Sequence, residues 1–197
     1  MRITANQKEL TRERILAAAV DLFRRQGFDT TTTRDIAQGA GIASGTLFNY
    51  FDTKEAIVAS LAVEALAKAH SALDGHLDDA SLEESLFDLT AAELRQLKPL
   101  RKFIRPVLET FLSPLAAFAG RDPHGLRVEH LEVVASIAHR HGIPIFSSVR
   151  LQVYWALYTG VLAFWATDKS PKQEDTLALL DESLAMFVAW LKESTTV

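Results

Sequence analysis

Thr33-Arg-Asp-Ile-Ala-Gln-Gly-Ala-Gly-Ile-Ala-Ser-Gly-Thr-Leu-Phe-Asn-Tyr-Phe51 reads as two short helices joined by a tight turn. Thr32 and Thr33 are candidate caps for the first helix, since a side-chain oxygen there can accept from the free N–H groups of the opening turn. Ile36 and Ala40 are four apart and share its inner face. Gly39 and Gly41 bracket the turn, where glycine enters φ > 0 conformations without a Cβ clash. Ser44 is placed to cap the second helix, from which Leu47 and Phe51 point inward. That leaves Gly45, Thr46, Phe48, Asn49 and Tyr50 on or near the outside. Exposed aromatics need something to pack on. A helix-turn-helix whose second helix enters a DNA major groove supplies it.

Working outward, residues 11–26 form a first helix. Its Ile15, Ala18, Ala19, Leu22 and Phe23 make one apolar stripe. Thr11 is a possible cap, Gly27 a C-terminal glycine and Phe28 its closure. On the other side, Asp52 and Glu55 form an acidic capping box for a long helix from about Thr53 to Leu73 or Asp74. Ser81 and Glu84 are a second capping box, opening a helix over 82–97. Residues 100–119 are apolar and aromatic but broken by Pro106 and Pro114, so they are expected to kink or split. Another helix covers 126–141. Ile145 to Asp168 is hydrophobic nearly all round and needs cover on several sides. Ser170-Pro-Lys-Gln173 is a third capping signature, starting a last helix that ends near Glu193. The chain reads as all-α, with about nine helices. An N-terminal three-helix helix-turn-helix domain (1–52) precedes a C-terminal helical ligand-binding and dimerisation domain (53–197).

Bulk properties agree with this division. The 197 residues are 48% hydrophobic and include no cysteine, which excludes disulfides and thiolate chemistry. The sequence shows no signal peptide and no apolar run of transmembrane length, so a cytoplasmic protein without membrane partners is expected. Net charge is −4, yet residues 1–54 carry eight Lys/Arg against six Asp/Glu. The head is therefore +2 and the remainder −6. A mildly basic head on an acidic body suits a DNA reader with a second module attached.

The ordered run Ile15…Ala19…Leu22-Phe23…Gly27-Phe28…Thr32-Thr33-Arg34-Asp35-Ile36-Ala37…Ala40-Gly41-Ile42-Ala43-Ser44-Gly45-Thr46-Leu47-Phe48-Asn49-Tyr50-Phe51…Lys54-Glu55 resembles the N-terminal domain of the tetracycline-repressor (TetR) family of bacterial transcriptional regulators. The resemblance covers about residues 9–60. It implies a dimeric one-component repressor that binds a palindromic operator in double-stranded DNA. A small molecule in the body would tilt the long connecting helix and release DNA. It also implies that Thr33 and Arg34 reach phosphates, that Ser44, Gly45, Thr46, Phe48, Asn49 and Tyr50 belong to the recognition face, and that Lys54 contacts a phosphate. Phe48 departs from the family's usual tyrosine and cannot donate that residue's hydrogen bond. It offers apolar packing only, against a thymine methyl or a sugar.

The two C-terminal helices carry more apolar surface than one small body needs, so a homodimer through a four-helix bundle is expected. His70, Phe87, Phe103, Phe111, Phe118, Tyr154, Trp155 and Tyr158 are the candidate lining of a largely apolar effector pocket. No cofactor and no metal is expected, because none of the six histidines has the Glu-x-x-His spacing of helical di-iron sites and no cysteine is present. No nucleophile elbow or phosphate loop appears, so no enzyme is expected. The competing reading is an all-α small-molecule carrier or enzyme whose helix-turn-helix is incidental.

Overall fold

The computed structural model describes residues 5–73, 80–110, 125–143 and 147–193. Among these, nine α-helices and two short 3-10 turns occur, with no strand. The chain divides into two compact units, Met1–Leu61 and Ala62–Val197. Their border falls inside one helix, α4 (Lys54–Leu73).

The first unit is built on α1 (Ala5–Gln26), whose Ile15, Leu16, Ala19 and Phe23 are buried. It begins six residues before the position expected from Thr11. The upstream Gln7, Lys8, Glu9 and Leu10 are good helix formers. Thr11 accordingly sits inside the helix and donates to the Gln7 carbonyl at 2.8 Å. Gly27 closes α1 at φ +90°, a left-handed value that disfavours any side chain. Phe28 turns back onto Phe23, with ring centroids 5.1 Å apart.

Helix α2 (Thr33–Gly39) is capped by Thr32, through a full capping box with Asp35. The Thr32 hydroxyl, then its backbone N–H, hold the Asp35 carboxyl below its ordinary range. Only one of the two turn glycines is there for its backbone freedom. Gly41 has φ +65°, whereas Gly39 is helical, and a Cβ on it would lie 3.3 Å from Ala18 Cβ. Gly39 therefore permits close approach of α2 to α1. Helix α3 (Ser44–Leu47) is a single turn. Its N-cap is Ala43, which makes no side-chain cap, so Ser44 is the first helical residue and does not cap. Leu47 is fully buried and Phe51 nearly so. For α4 the cap is Thr53, whose Oγ1 accepts from Ala56 N at 3.1 Å; the Asp52–Glu55 box does not form the cap.

The second unit contains the rest of α4, then α5 (Leu82–Leu97), α6 (Arg105–Thr110), α7 (Leu126–Arg140), α8 (Ser148–Thr167) and α9 (Glu174–Glu193). Ser81 and Glu84 make the capping box expected for α5. Pro99 lies in the 3-10 turn Lys98–Phe103 that follows. Ser147 caps α8 by accepting from Arg150 N at 3.2 Å. The third capping signature forms differently from expectation. Pro171–Gln173 is a 3-10 turn, and Lys172 and Gln173 take φ of 52° and 64°. Asp168 organises this corner by accepting from Ser170 N (2.7 Å), Thr176 N (3.1 Å) and Thr176 Oγ1 (2.6 Å). The Thr176 hydroxyl is the main reason the Asp168 carboxyl is held at about 2. Arg101 ties the same corner, donating to the carbonyls of Trp165 and Asp168.

The interior of the second unit includes Leu86, Leu89, Leu97, Val134, Leu162, Leu180 and Leu191. Each such side chain contributes roughly 1.5–3 kcal/mol of transfer free energy when fully buried. Phe111, Phe118, Pro114 and Phe146 lie outside the described residues.

Candidate nucleic-acid interface and a buried polar cluster

The candidate interface belongs to the first unit. Leu47 and Phe51 fasten the recognition turn from below, at 0% and 5% exposure, while Phe48 is 50% exposed. Arg34, Ser44, Gly45 and Asn49 are exposed; Thr33, Thr46 and Tyr50 are half-buried. Ser44, Thr46 and Asn49 make no side-chain hydrogen bond among the described residues. Their donors and acceptors are therefore available to an external partner. Nothing lies within 4 Å of a Cβ built on Gly45, so the backbone there can approach a partner closely. Arg14 stiffens the turn by donating to the carbonyls of Ala40 and Gly41.

Lys54 is placed less simply. Its ammonium donates to the carbonyls of Phe28 (2.8 Å), Asp29 (3.3 Å) and Thr31 (3.2 Å). It also lies 4.3 Å from the centre of the Phe28 ring. Its three N–H donors thus cap the loop between α1 and α2 and pin it to the start of α4. Nothing in its spacing indicated this role.

In the second unit, four of the eight candidate pocket residues gather around a residue outside that set. His130, fully buried on α7, stacks on Tyr158 at 3.9 Å between ring centroids. Tyr154 lies 5.6 Å from it, Trp155 6.0 Å and His70 6.4 Å. At the centre is Glu93 of α5, also fully buried. Its Oε1 accepts from His70 Nε2 at 2.7 Å and from His130 Nδ1 at 2.8 Å. His130 Nε2 is 3.2 Å from the Tyr154 hydroxyl. Burial alone would raise the Glu93 carboxyl, but the two imidazoles outweigh it, His130 most, and hold it at about 2. Glu93 is therefore a carboxylate, which can only accept. Burial, then the Glu93 charge, push both tyrosine hydroxyls upward, so both keep their protons. Glu93 Oε2, Tyr158 OH and Trp155 Nε1 are buried without a hydrogen-bond partner.

The remaining candidates do not join this cluster. Phe103 is buried in the 3-10 turn. Phe87 is half-buried and lines a separate concavity of about 680 Å³ with Glu83, Glu84, Asp88 and Asp181, a strongly acidic wall. Glu93 and His130 did leave a signal in the sequence. Glu93 continues the apolar stripe Leu82, Leu86, Leu89 and Leu97 of α5. His130 falls between Leu126 and Val134 on the buried side of α7. An ionisable residue on such a stripe needs a buried partner.

Comparison with known proteins bears on both parts. A family model described as bacterial regulatory proteins, tetR family, matches residues 15–61. The solved structure of Thermus thermophilus FadR, a TetR-family repressor in complex with lauroyl-CoA, superposes with a TM-score of 0.68 at 25% identity, covering 90% of this chain and 93% of FadR. The family match is to the head, residues 15–61, and the likeness in fold extends over most of the chain. Curated TetR-family repressors are similar to it over the head. The class D tetracycline repressor of Escherichia coli is 43% identical over 61 residues, 31% of this chain and 28% of that repressor. The repressor KstR2 of Rhodococcus jostii is 49% identical over 47 residues, 24% of this chain and 23% of KstR2. The chain thus matches less than a third of the length of these curated TetR-family repressors. Bacillus subtilis FadR, solved with stearoyl-CoA, shares the fold at 20% identity, with a TM-score of 0.61 over 89% of this chain and 97% of its own. These relatives are transcriptional regulators. No helix among the described residues is long and apolar enough to cross a membrane.

Proposed function

We propose that this protein is a ligand-responsive transcriptional repressor, not an enzyme, that binds a palindromic operator as a homodimer in the cytoplasm. The observation that carries this reading is the recognition turn. Its apolar residues, Leu47 and Phe51, are buried, and its polar residues, Ser44, Thr46 and Asn49, face outward without side-chain hydrogen bonds. Thr46 and Asn49 suit base edges, with Tyr50 beside them. Thr33, Arg34, Ser44 and the Gly45 backbone suit phosphates, and Phe48 packs on a sugar or a thymine methyl. Lys54 holds the loop that carries α2, and its charge adds to the positive field toward the phosphate backbone.

The dimer reading rests on α8 and α9. Val149, Val153 and Phe164 of α8 are exposed, together with Ala156, Gly160 and Ala163 between them. Leu177 and Met186 of α9 are exposed as well. Large apolar residues aligned on two neighbouring helices fit a self-complementary four-helix interface. The effector is read as largely apolar, entering near Tyr154, Trp155 and Tyr158. Long-chain acyl-CoA thioesters are the first class to test, since two relatives were solved with them.

The test is a mobility shift with DNA from upstream of the protein's own coding sequence. Binding in the nanomolar range is expected, falling steeply with salt. Asn49→Ala should relax discrimination by about 1–3 kcal/mol at one base position. Arg34→Ala should weaken binding to all sequences and lower the salt slope by about one. Equal affinity for the upstream region and for scrambled DNA would refute the repressor reading.

A further inference from the structure

His70, Glu93 and His130 lie 23 and 37 residues apart in sequence and come from three helices, α4, α5 and α7. One ligand atom from each lies within 4.8 Å of the others. Both imidazoles aim a ring nitrogen at the same carboxylate oxygen, so their lone-pair directions converge on nearly one point. We propose that these three side chains form a binding site for a divalent transition-metal ion of the zinc class.

The donor set selects the metal. Two imidazole nitrogens and one carboxylate suit zinc and its borderline neighbours, whereas magnesium and calcium require oxygen ligands. Three protein ligands with a fourth position open is the arrangement of zinc sites that accept water or a ligand oxygen. Glu93 Oε1 now occupies the point on which the nitrogens converge, so the carboxylate must draw back by roughly 1–2 Å to admit the ion. A zinc ion about 2.0–2.2 Å from each donor requires neighbouring ligand atoms roughly 3 Å apart or more. They now stand at 2.7 and 2.8 Å. The His70 side chain, 18% exposed, can make the adjustment and offers the ion a way in from water.

Two further observations point to an occupant. Glu93 Oε2 and the Tyr158 hydroxyl are buried beside the cluster without a well-formed hydrogen bond, although the phenol interacts with the Glu93 carboxylate. Buried polar atoms of this kind normally have one. A metal ion gives the carboxylate a use for its second oxygen, and water on the open position gives the phenol a partner. The outer contacts are also in place. On binding, each imidazole turns a lone pair toward the ion; a neutral His130 does so by shifting its single proton from Nδ1 to Nε2, where it faces the Tyr154 hydroxyl. A ligating histidine normally has such an acceptor for its other nitrogen.

This inference stands apart from the repressor reading, because its test involves no DNA. Full-length protein is stripped with a chelator, dialysed and titrated with zinc chloride by calorimetry, with magnesium chloride in parallel. One zinc per chain is expected, with a Kd of roughly 1 μM or tighter, and no magnesium binding. Cobalt(II) should give a visible absorption band of a low-coordinate site. Glu93→Gln and His70→Ala should each weaken zinc at least about 100-fold and abolish the cobalt band. His70→Ala is the decisive variant, because a partly exposed side chain can be removed with the fold preserved, as a melting curve without metal will show. Zinc should raise the Tm of the wild type and leave that of His70→Ala unchanged. Absence of zinc binding, or equal binding by wild type and His70→Ala, overturns the proposal.

Discussion

On α3 and the turn that follows it, Ser44, Thr46 and Asn49 present polar groups to water and make no side-chain hydrogen bond among the described residues. On α5, Glu93 is fully buried, and two imidazoles converge on one of its oxygens. Polar side chains on the outer face of the recognition turn are kept available, and those of the Glu93 cluster are drawn together. The physical stakes differ accordingly. A water-facing hydroxyl or amide contributes little to stability and is free to take an outside partner. A buried carboxylate is tolerated only because its partners offset the loss of hydration. Substitutions in the head's outer face should therefore change binding and spare the fold. Substitutions in the cluster should do the reverse first.

The largest expected effect is Glu93→Ala, which leaves the buried His130 and the partly exposed His70 without their acceptor. A loss of about 3–5 kcal/mol is expected in urea unfolding. Replacing Glu93 and His130 together by leucine should recover much of it, because apolar groups of similar size remove the unpaired charge along with its partner. A single substitution that cost no more than a surface change would break the contrast between the two regions. Leu47→Ala comes next, at about 3 kcal/mol, since it opens a cavity beneath the recognition turn. It is the exception that sharpens the comparison, because here the head's inner face should behave like a core. Circular dichroism during unfolding, with DNA binding measured on the same sample, will separate the two losses.

Acid provides a third test. The folded Glu93 carboxyl stands at about 2, below its ordinary 4.5. A depressed carboxyl adds stability above its unfolded value and loses it as pH falls through the folded one. Wild-type stability should fall between pH 4.5 and about 2, and Glu93→Gln should show a shallower slope across that window. Asp168, also held at about 2, contributes with the same sign in both proteins and leaves the difference to Glu93. A slope identical in the two would mean that the carboxylate is not paired in solution. The smallest effect belongs to Phe48→Tyr. A hydroxyl restored on an exposed ring should tighten DNA binding by about 0.5–1.5 kcal/mol, a few-fold in Kd, with unfolding unchanged.

The two regions also differed in how far they could be read in advance. In the head, the decisive relations are local: Thr32 with Asp35, Gly27 after α1, Leu47 with Phe51. Each is set within four residues or fewer, so spacing alone exposes it. The slips over Ser44, Thr53 and the start of α1 were local ones of a few residues, whereas at Gly39 and Lys54 a tertiary contact was responsible. Gly39 is required by the approach of Ala18, and Lys54 is drawn to three carbonyls of a loop more than twenty residues upstream. In the body, the aromatics Tyr154, Trp155 and Tyr158 were recognisable as a set. Nothing local joined them to His130 or Glu93, and the absence of Glu-x-x-His spacing argued against any metal site.

From the sequence alone came the helical periods, the caps at Thr32 and Ser81, the inward and outward faces of the recognition turn, and the departure at Phe48. These follow from backbone hydrogen bonding and side-chain periodicity, which act over one or two turns. Packing decided what lies between helices: the corner held by Asp168, the loop clamp of Lys54, and the meeting of His70, Glu93 and His130. Such sites depend on which stripes face one another in three dimensions. A stripe shows only that a residue is buried, and the fold shows beside what.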